Sequence, residues 1–182
     1  MERYSLLQLA KHAFSGHKRW PKVWRNPELR SQYDVVIIGG GGHGLATAYY
    51  LAKKHGISNV AVLEKGWLGG GNTGRNTTII RSNYFYPEST RFFNHSLKLF
   101  EKLSLDLNYN VMLSQGGVLN LGHSRHDMEI LERWSNSLQL QGIDAEMLTR
   151  DQVKDHVPPL DVTNDTRFPV WGGFIQKRGG TA

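Results

Sequence analysis

The chain has 182 residues, of which 39% are apolar, enough for one domain with a real core and too few for two large ones. It contains no cysteine, which excludes a disulfide framework and a thiolate metal site; no metal site is expected, and a reducing compartment fits best. The formal net charge is +6, but residues 1–32 hold seven Lys/Arg against Glu2 and Glu28, and the near-neutral remainder argues against a nucleic-acid face.

That basic stretch, 1–32, is read as an amino-terminal arm. Leu6, Leu9, Ala10, Ala13 and Phe14 recur at helical spacing, then come Gly16, Trp20, Trp24 and Pro27. The arm is expected to pack on its own domain or on a neighbour, its tryptophans suiting a contact better than a cleaved transit peptide. No run approaches the roughly 18 apolar residues of a membrane span. A soluble, cytoplasmic protein without membrane or nucleic-acid partners is expected.

From Asp34 to Ile38 a continuous β-branched run predicts a strand buried on both faces, as in a parallel sheet. Leu45 to His55 predicts a helix with Ala46, Ala48, Leu51 and Ala52 on its packing side and Gly56 as a left-handed cap. Asn59 to Glu64 predicts a second buried strand, which completes a right-handed βαβ crossover. Residues 66–78, rich in Gly, Asn and Thr, read as a functional loop. Beyond it the pattern predicts a helix near Pro87 to Asn108, a strand at Gly117 to Leu121 and a helix near Arg125 to Leu140. A short helix follows at Thr149 to His156, where Thr149 and Gln152 have capping-box spacing, and Arg167 to Gln176 reads as a closing strand.

The turn between the first strand and helix is Gly39-Gly40-Gly41-Gly42-His43-Gly44, which satisfies G-x-G-x-x-G in the context that gives the motif meaning. Gly39 permits the tight turn, Gly41 lets backbone approach a pyrophosphate, and Gly44 lets helix and strand pack closely. Glu64, 20 residues after Gly44 at the end of the second strand, can accept from both ribose hydroxyls. These features imply dinucleotide binding. NAD and FAD share them, and the polar run Asn72 to Thr78 favours FAD by supplying donors along a pyrophosphate and toward a flavin ring.

The runs Tyr33 to Lys53, Val62 to Trp67, Gly71-Asn72, Arg75 to Tyr84 and Ser114 to Leu121, together with Arg3 to His17 in the arm, resemble the β subunits of heterotetrameric sarcosine oxidases, within the D-amino-acid-oxidase-like flavoproteins. The resemblance covers essentially the whole chain. It implies an α/β fold: a Rossmann-like FAD-binding βαβ unit followed by the start of an α+β substrate domain, with 33–182 as the amino-terminal part of the oxidoreductase domain. It implies oxidative demethylation of sarcosine to glycine with noncovalent FAD, electrons passing to FMN, in an assembly with alpha, gamma and delta subunits. By position it adds Gly42, His43, Lys65, Asn72, Arg75, Thr77 and Ile79 to the FAD-contacting residues.

Family members are about twice as long, and their FMN-bearing histidine follows a Gly-Gly-Thr-Ala type sequence like 179–182, so the chain is expected to be a fragment, inactive by itself. His95, His123, His126 and His156 are read as surface or helix histidines, and no catalytic base can be named. Two other readings stay open: a monomeric FAD-dependent amino-acid oxidase or dehydrogenase of the same superfamily, and a noncatalytic assembly module that docks through the arm.

Overall fold

The computed structural model describes residues 5–16, 18 and 27–182; Trp20 and Trp24 of the arm lie outside them. The chain divides into two compact units, one built from the described residues up to Thr77 and the other from Thr78–Ala182.

The first unit opens with α1 (Leu6–Phe14), started by a capping box in which Ser5 Oγ accepts from the Gln8 N–H and Gln8 Oε1 accepts from the Ser5 N–H. Its apolar stripe is solvent-facing: Leu6, Leu7 and Phe14 are all more than 80% exposed. The helix expected in the arm therefore forms, but it does not bury its apolar side on its own domain.

β1 (Val35–Ile38), α2 (Gly42–His55) and β2 (Val60–Leu63) form the expected βαβ crossover, with β1 and β2 parallel and Ile38 opposite Leu63. The ladder continues one residue further, where the Gly39 N–H donates to the Leu63 carbonyl at 2.7 Å. The two strands are not buried on both faces. α2 covers the side of Val35 and Ile37, while Val36 and Ile38 alternate onto an exposed face. The inward stripe of α2 is Gly44, Ala48 and Leu51, spaced i, i+4, i+7. Ala46 and Ala52, expected on that side, are exposed, because Gly44 is the point of closest approach to β1 and fixes the helix rotation. Gly56 ends α2 at φ +70, and Lys53, Lys54 and His55 sit at the negative end of its dipole. A 3-10 turn (Asn72–Arg75) follows in the Gly/Asn/Thr loop.

The second unit contains β3 (Ile79–Ile80), α3 (Pro87–Leu107), β4 (Val118–Gly122), α4 (Arg125–Leu140), β5 (Ala145–Thr149), α5 (Arg150–His156), β6 (Gly172–Gln176) and β7 (Gly180–Thr181). β6 is the centre of an antiparallel sheet ordered β4-β6-β5, and β3 pairs antiparallel with β7. One sheet face packs Phe174 and Ala145 against Leu131 and Leu138 of α4. The other packs Ile175 and Leu148 against Val153 of α5 and Val170.

Proline at its first turn starts α3, and Asn108 at φ 49 ends it in the left-handed region. α5 carries the capping box expected at Thr149 and Gln152. The closing strand is shorter than 167–176, because 167–171 remain irregular. β5 has no counterpart in the sequence reading; it is an edge strand after the Gly142 turn whose pairing is wholly with β6, so no local period announces it. Among the described residues no helix is long and apolar enough to cross a membrane.

Candidate functional site

In the first unit the carboxyl ends of β1 and β2 converge on the glycine turn. Gly39 lies at φ +103, where an L side chain is strained, and this conformation bends the chain out of β1. Gly41 precedes α2 in extended conformation and offers no capping side chain, so the first-turn N–H groups have no i−4 carbonyl beneath them. A Cβ on Gly44 would stand 2.0 Å from the Gly39 carbonyl oxygen, which makes that position glycine by contact as well as by motif.

Glu64 reaches across the turn. Its Oε2 accepts from the Gly40 N–H and its Oε1 from the Gly66 N–H, both at 2.8 Å. The Gly40 bond first, then the Gly66 bond, holds its carboxyl below the ordinary 4.5. Each oxygen keeps a lone pair for a further donor. Because the folded-state pKa is depressed, the stabilisation is present at neutral pH and is lost as pH falls below about 4.5 through the folded value. We expect Glu64→Gln to lower the melting temperature at pH 7, with the gap from the parent closing on acidification below pH 4.5. Parallel melting curves that keep a constant gap would contradict this origin.

The loop after β2 folds over the same turn. Thr73, on the 3-10 turn, accepts from the Gly42 N–H at 2.9 Å, and the Gly69 N–H donates to the Gly40 carbonyl at 2.9 Å. Thr73 falls within the run Asn72 to Thr78 that the sequence marks as a source of donors, but not among the contact residues singled out there. The signal was its hydroxyl within a polar loop, and the pairing spans 31 residues. Gly39, Gly41, Gly42, Gly44 and Glu64 are thus brought together. His43 is exposed on the first turn of α2, and Lys65 is exposed beside Glu64. Asn72, Arg75 and Thr77 are exposed on or after the 3-10 turn. Ile79 belongs to the other unit, on β3 opposite Thr181. The bend at Gly39, the amino-terminal end of α2 and the Glu64 carboxylate fit the ADP part of FAD, with the Thr73 hydroxyl lying against Gly41 and Gly42 at the mouth of the turn.

The second unit has a cavity of about 290 Å3 lined by Arg81, Asn83, Tyr84, Phe85, Tyr86, Ser89 and Trp134. The Arg81 guanidinium lies 4.6 Å from the Tyr84 ring centroid, and Tyr84 stacks on Phe93 at 3.9 Å. Arg81 Nη1 donates to Asn83 Oδ1 at 2.9 Å. The segment is anchored on both sides. Gln176 of β6 accepts from the Ser82 N–H at 3.0 Å and donates to Ser82 Oγ at 2.6 Å, while Thr90 Oγ1 of α3 donates to the Tyr84 carbonyl at 2.8 Å. Ser82, Asn83, Thr90 and Gln176 are all buried. The sequence motif contains Arg81 to Tyr84, yet only long-range bonds show that it lines a cavity. His95, His123, His126 and His156 are exposed.

A family model described as "DAO: FAD dependent oxidoreductase" matches residues 34–182. The chain is 53% identical over 179 residues to "Sarcosine oxidase subunit beta" of Rhizobium meliloti (strain 1021), spanning 98% of this chain and 43% of that protein. It is 56% identical over 160 residues to the protein of the same name from Arthrobacter sp, spanning 88% and 40%. Among solved structures, L-proline dehydrogenase from P.horikoshii superposes with a TM-score of 0.75 at 27% identity, spanning 85% of this chain and 39% of that one. Glycine oxidase from Bacillus cereus ATCC 14579 superposes at 0.70 with 23% identity, over 82% and 40%, and shares the fold. The chain spans less than half the length of these curated relatives.

Proposed function

The chain belongs to the family of FAD-dependent oxidoreductases, and from that premise we propose that it contributes the ADP-binding half of the flavin site and part of the substrate pocket to an amine oxidase acting on sarcosine. The observation that carries this reading is the glycine turn closed by Glu64, with both carboxylate oxygens already facing backbone donors at the carboxyl ends of parallel strands.

In this reading the amides at Gly41 and His43 hold the pyrophosphate beside the Gly42 N–H that Thr73 takes, and Glu64 accepts from the ribose hydroxyls. Thr73, Asn72, Arg75 and Thr77 supply donors along the phosphates and toward the flavin ring. Lys65 and Ile79 complete the contacts on the strength of the resemblance. FAD, when bound, supplies the two-electron acceptor for oxidation of the substrate C–N bond.

Arg81 is the group suited to the carboxylate of an amino acid: a guanidinium in a cavity otherwise lined largely by aromatic rings. A small N-methyl amino acid presents that carboxylate at one end and an apolar methyl at the other. The resemblance extends the proposal to a second flavin, FMN, to alpha, gamma and delta subunits, and to a cytoplasmic setting. The exposed stripe of α1 offers apolar surface for one of those subunits.

The test is an anaerobic titration of the complete purified protein with sarcosine, followed by flavin absorbance. The reading expects flavin bands that bleach with sarcosine. Bands that bleach with proline or glycine but not with sarcosine would move the assignment to another amino-acid oxidase of the superfamily, and absence of flavin would refute it.

A further inference from the structure

Asn83 is fully buried, it lines the Arg81 cavity, and its side chain is only half used. Oδ1 accepts from Arg81 Nη1 at 2.9 Å, and the Asn83 main-chain carbonyl accepts from the same nitrogen at 3.4 Å, while Nδ2 has no hydrogen-bond partner among the described residues. Leaving a buried amide donor without a partner carries a free-energy cost, and a residue kept only to shape a turn has no need to bear it. The geometry of Arg81 shows what the amide accomplishes. The guanidinium is held from one side by the Tyr84 face and from another by Asn83, and both contacts are uncharged. An aspartate at 83 would accept the same hydrogen bond and also cancel the positive charge.

We propose that Asn83 is a positioning and specificity residue: it fixes the Arg81 guanidinium toward the cavity while leaving its charge uncompensated for an anionic substrate group. The proposal rests on the reading of Arg81 as the carboxylate-binding group. Gln176 supports it by immobilising the intervening Ser82 from β6, so that Arg81 and Asn83 flank a pinned residue.

The experiment uses the complete, FAD-loaded protein and two probes, (methylthio)acetate, the sulfur isostere of sarcosine, and its uncharged amide. Affinity is measured by calorimetry, and sarcosine KM and kcat are measured alongside. Asn83→Asp keeps the shape of the side chain, and the proposal expects it to weaken (methylthio)acetate binding roughly tenfold to a hundredfold with little change for the amide. KM for sarcosine should rise by more than kcat falls. Asn83→Ser, which cannot reach Arg81, should weaken acid binding in the same direction and to a smaller extent. Arg81→Met should abolish discrimination between acid and amide.

If Arg81→Met removes the discrimination and both Asn83 variants retain it, the proposal is overturned and the Arg81 reading survives. If Arg81→Met itself leaves the discrimination intact, the carboxylate reading is wrong and the proposal fails with it. Circular dichroism of each variant separates these results from a loss of fold, and Asn83→Ser provides the comparison if the aspartate does not fold.

Discussion

Replacing Gly44 with alanine is expected to weaken FAD binding by on the order of a hundredfold or more, at tenfold per 1.4 kcal/mol. The added Cβ would lie 2.0 Å from the Gly39 carbonyl oxygen and 3.4 Å from the Ile37 Cγ2. The first contact is with backbone, so no side-chain rotation relieves it. Either the start of α2 moves away from β1 or the Gly39 turn opens, and both displace the amides read as the pyrophosphate cradle. Alanine is otherwise a better helix former than glycine, so the expected loss runs against intrinsic propensity. Gly71→Ala is the control: Gly71 has nothing within 4 Å of its Cβ position and no left-handed φ, and the variant should bind flavin like the parent. Flavin fluorescence titration of the complete protein measures both. A folded Gly44→Ala protein with parental affinity would contradict the close-packing account.

The second large effect concerns stability. Phe174→Ala is expected to destabilise the second unit by about 3–5 kcal/mol, the usual range for truncating a buried aromatic. Phe174 is fully buried in the central strand β6, opposite Asn120 of β4 and Met147 of β5, and it packs with Leu131, Leu138, Ile143 and Ala145. Its ring meets Trp134 edge to face at 5.0 Å, and Trp134 lines the Arg81 cavity. The substitution should therefore loosen the cavity wall as well as the core. Phe174→Leu, which keeps most of the volume, should recover much of the loss. Urea unfolding followed by tryptophan fluorescence reads the change; a shift below about 1 kcal/mol would mean that this core does not hold the unit together.

The parts of this molecule that can be read along the chain are those whose cause is local. The Gly39 to Gly44 turn, the acid 20 residues later and the Gly56 cap follow from backbone conformations that particular residues permit or require, and each lies where its spacing places it. The capping box at Thr149 and Gln152 is local in the same sense. What the sequence conceals depends on pairing at a distance. β5 is defined by its register with β6, and Thr73 meets Gly42 only because the loop folds back. Gln176 joins Ser82 across 94 residues, so the anchoring of the cavity around Arg81 has no signature in any short window, although most of its lining falls within 81–89. The alanines of α2 point to a stripe that includes Ala46 and Ala52, whereas only Ala48 and Leu51 of the expected side face inward, below the close approach at Gly44. Burial of β1 on both faces was expected from composition alone, but exposure depends on which layers are present, and α2 covers one side.

The most direct measurement is the electron density of the complete protein crystallised with FAD. Pyrophosphate oxygens are expected within hydrogen-bond distance of the Gly41 and His43 amides, and ribose hydroxyls on the Glu64 carboxylate. Adenosine diphosphate density at any other place, with this turn free of ligand, would contradict it.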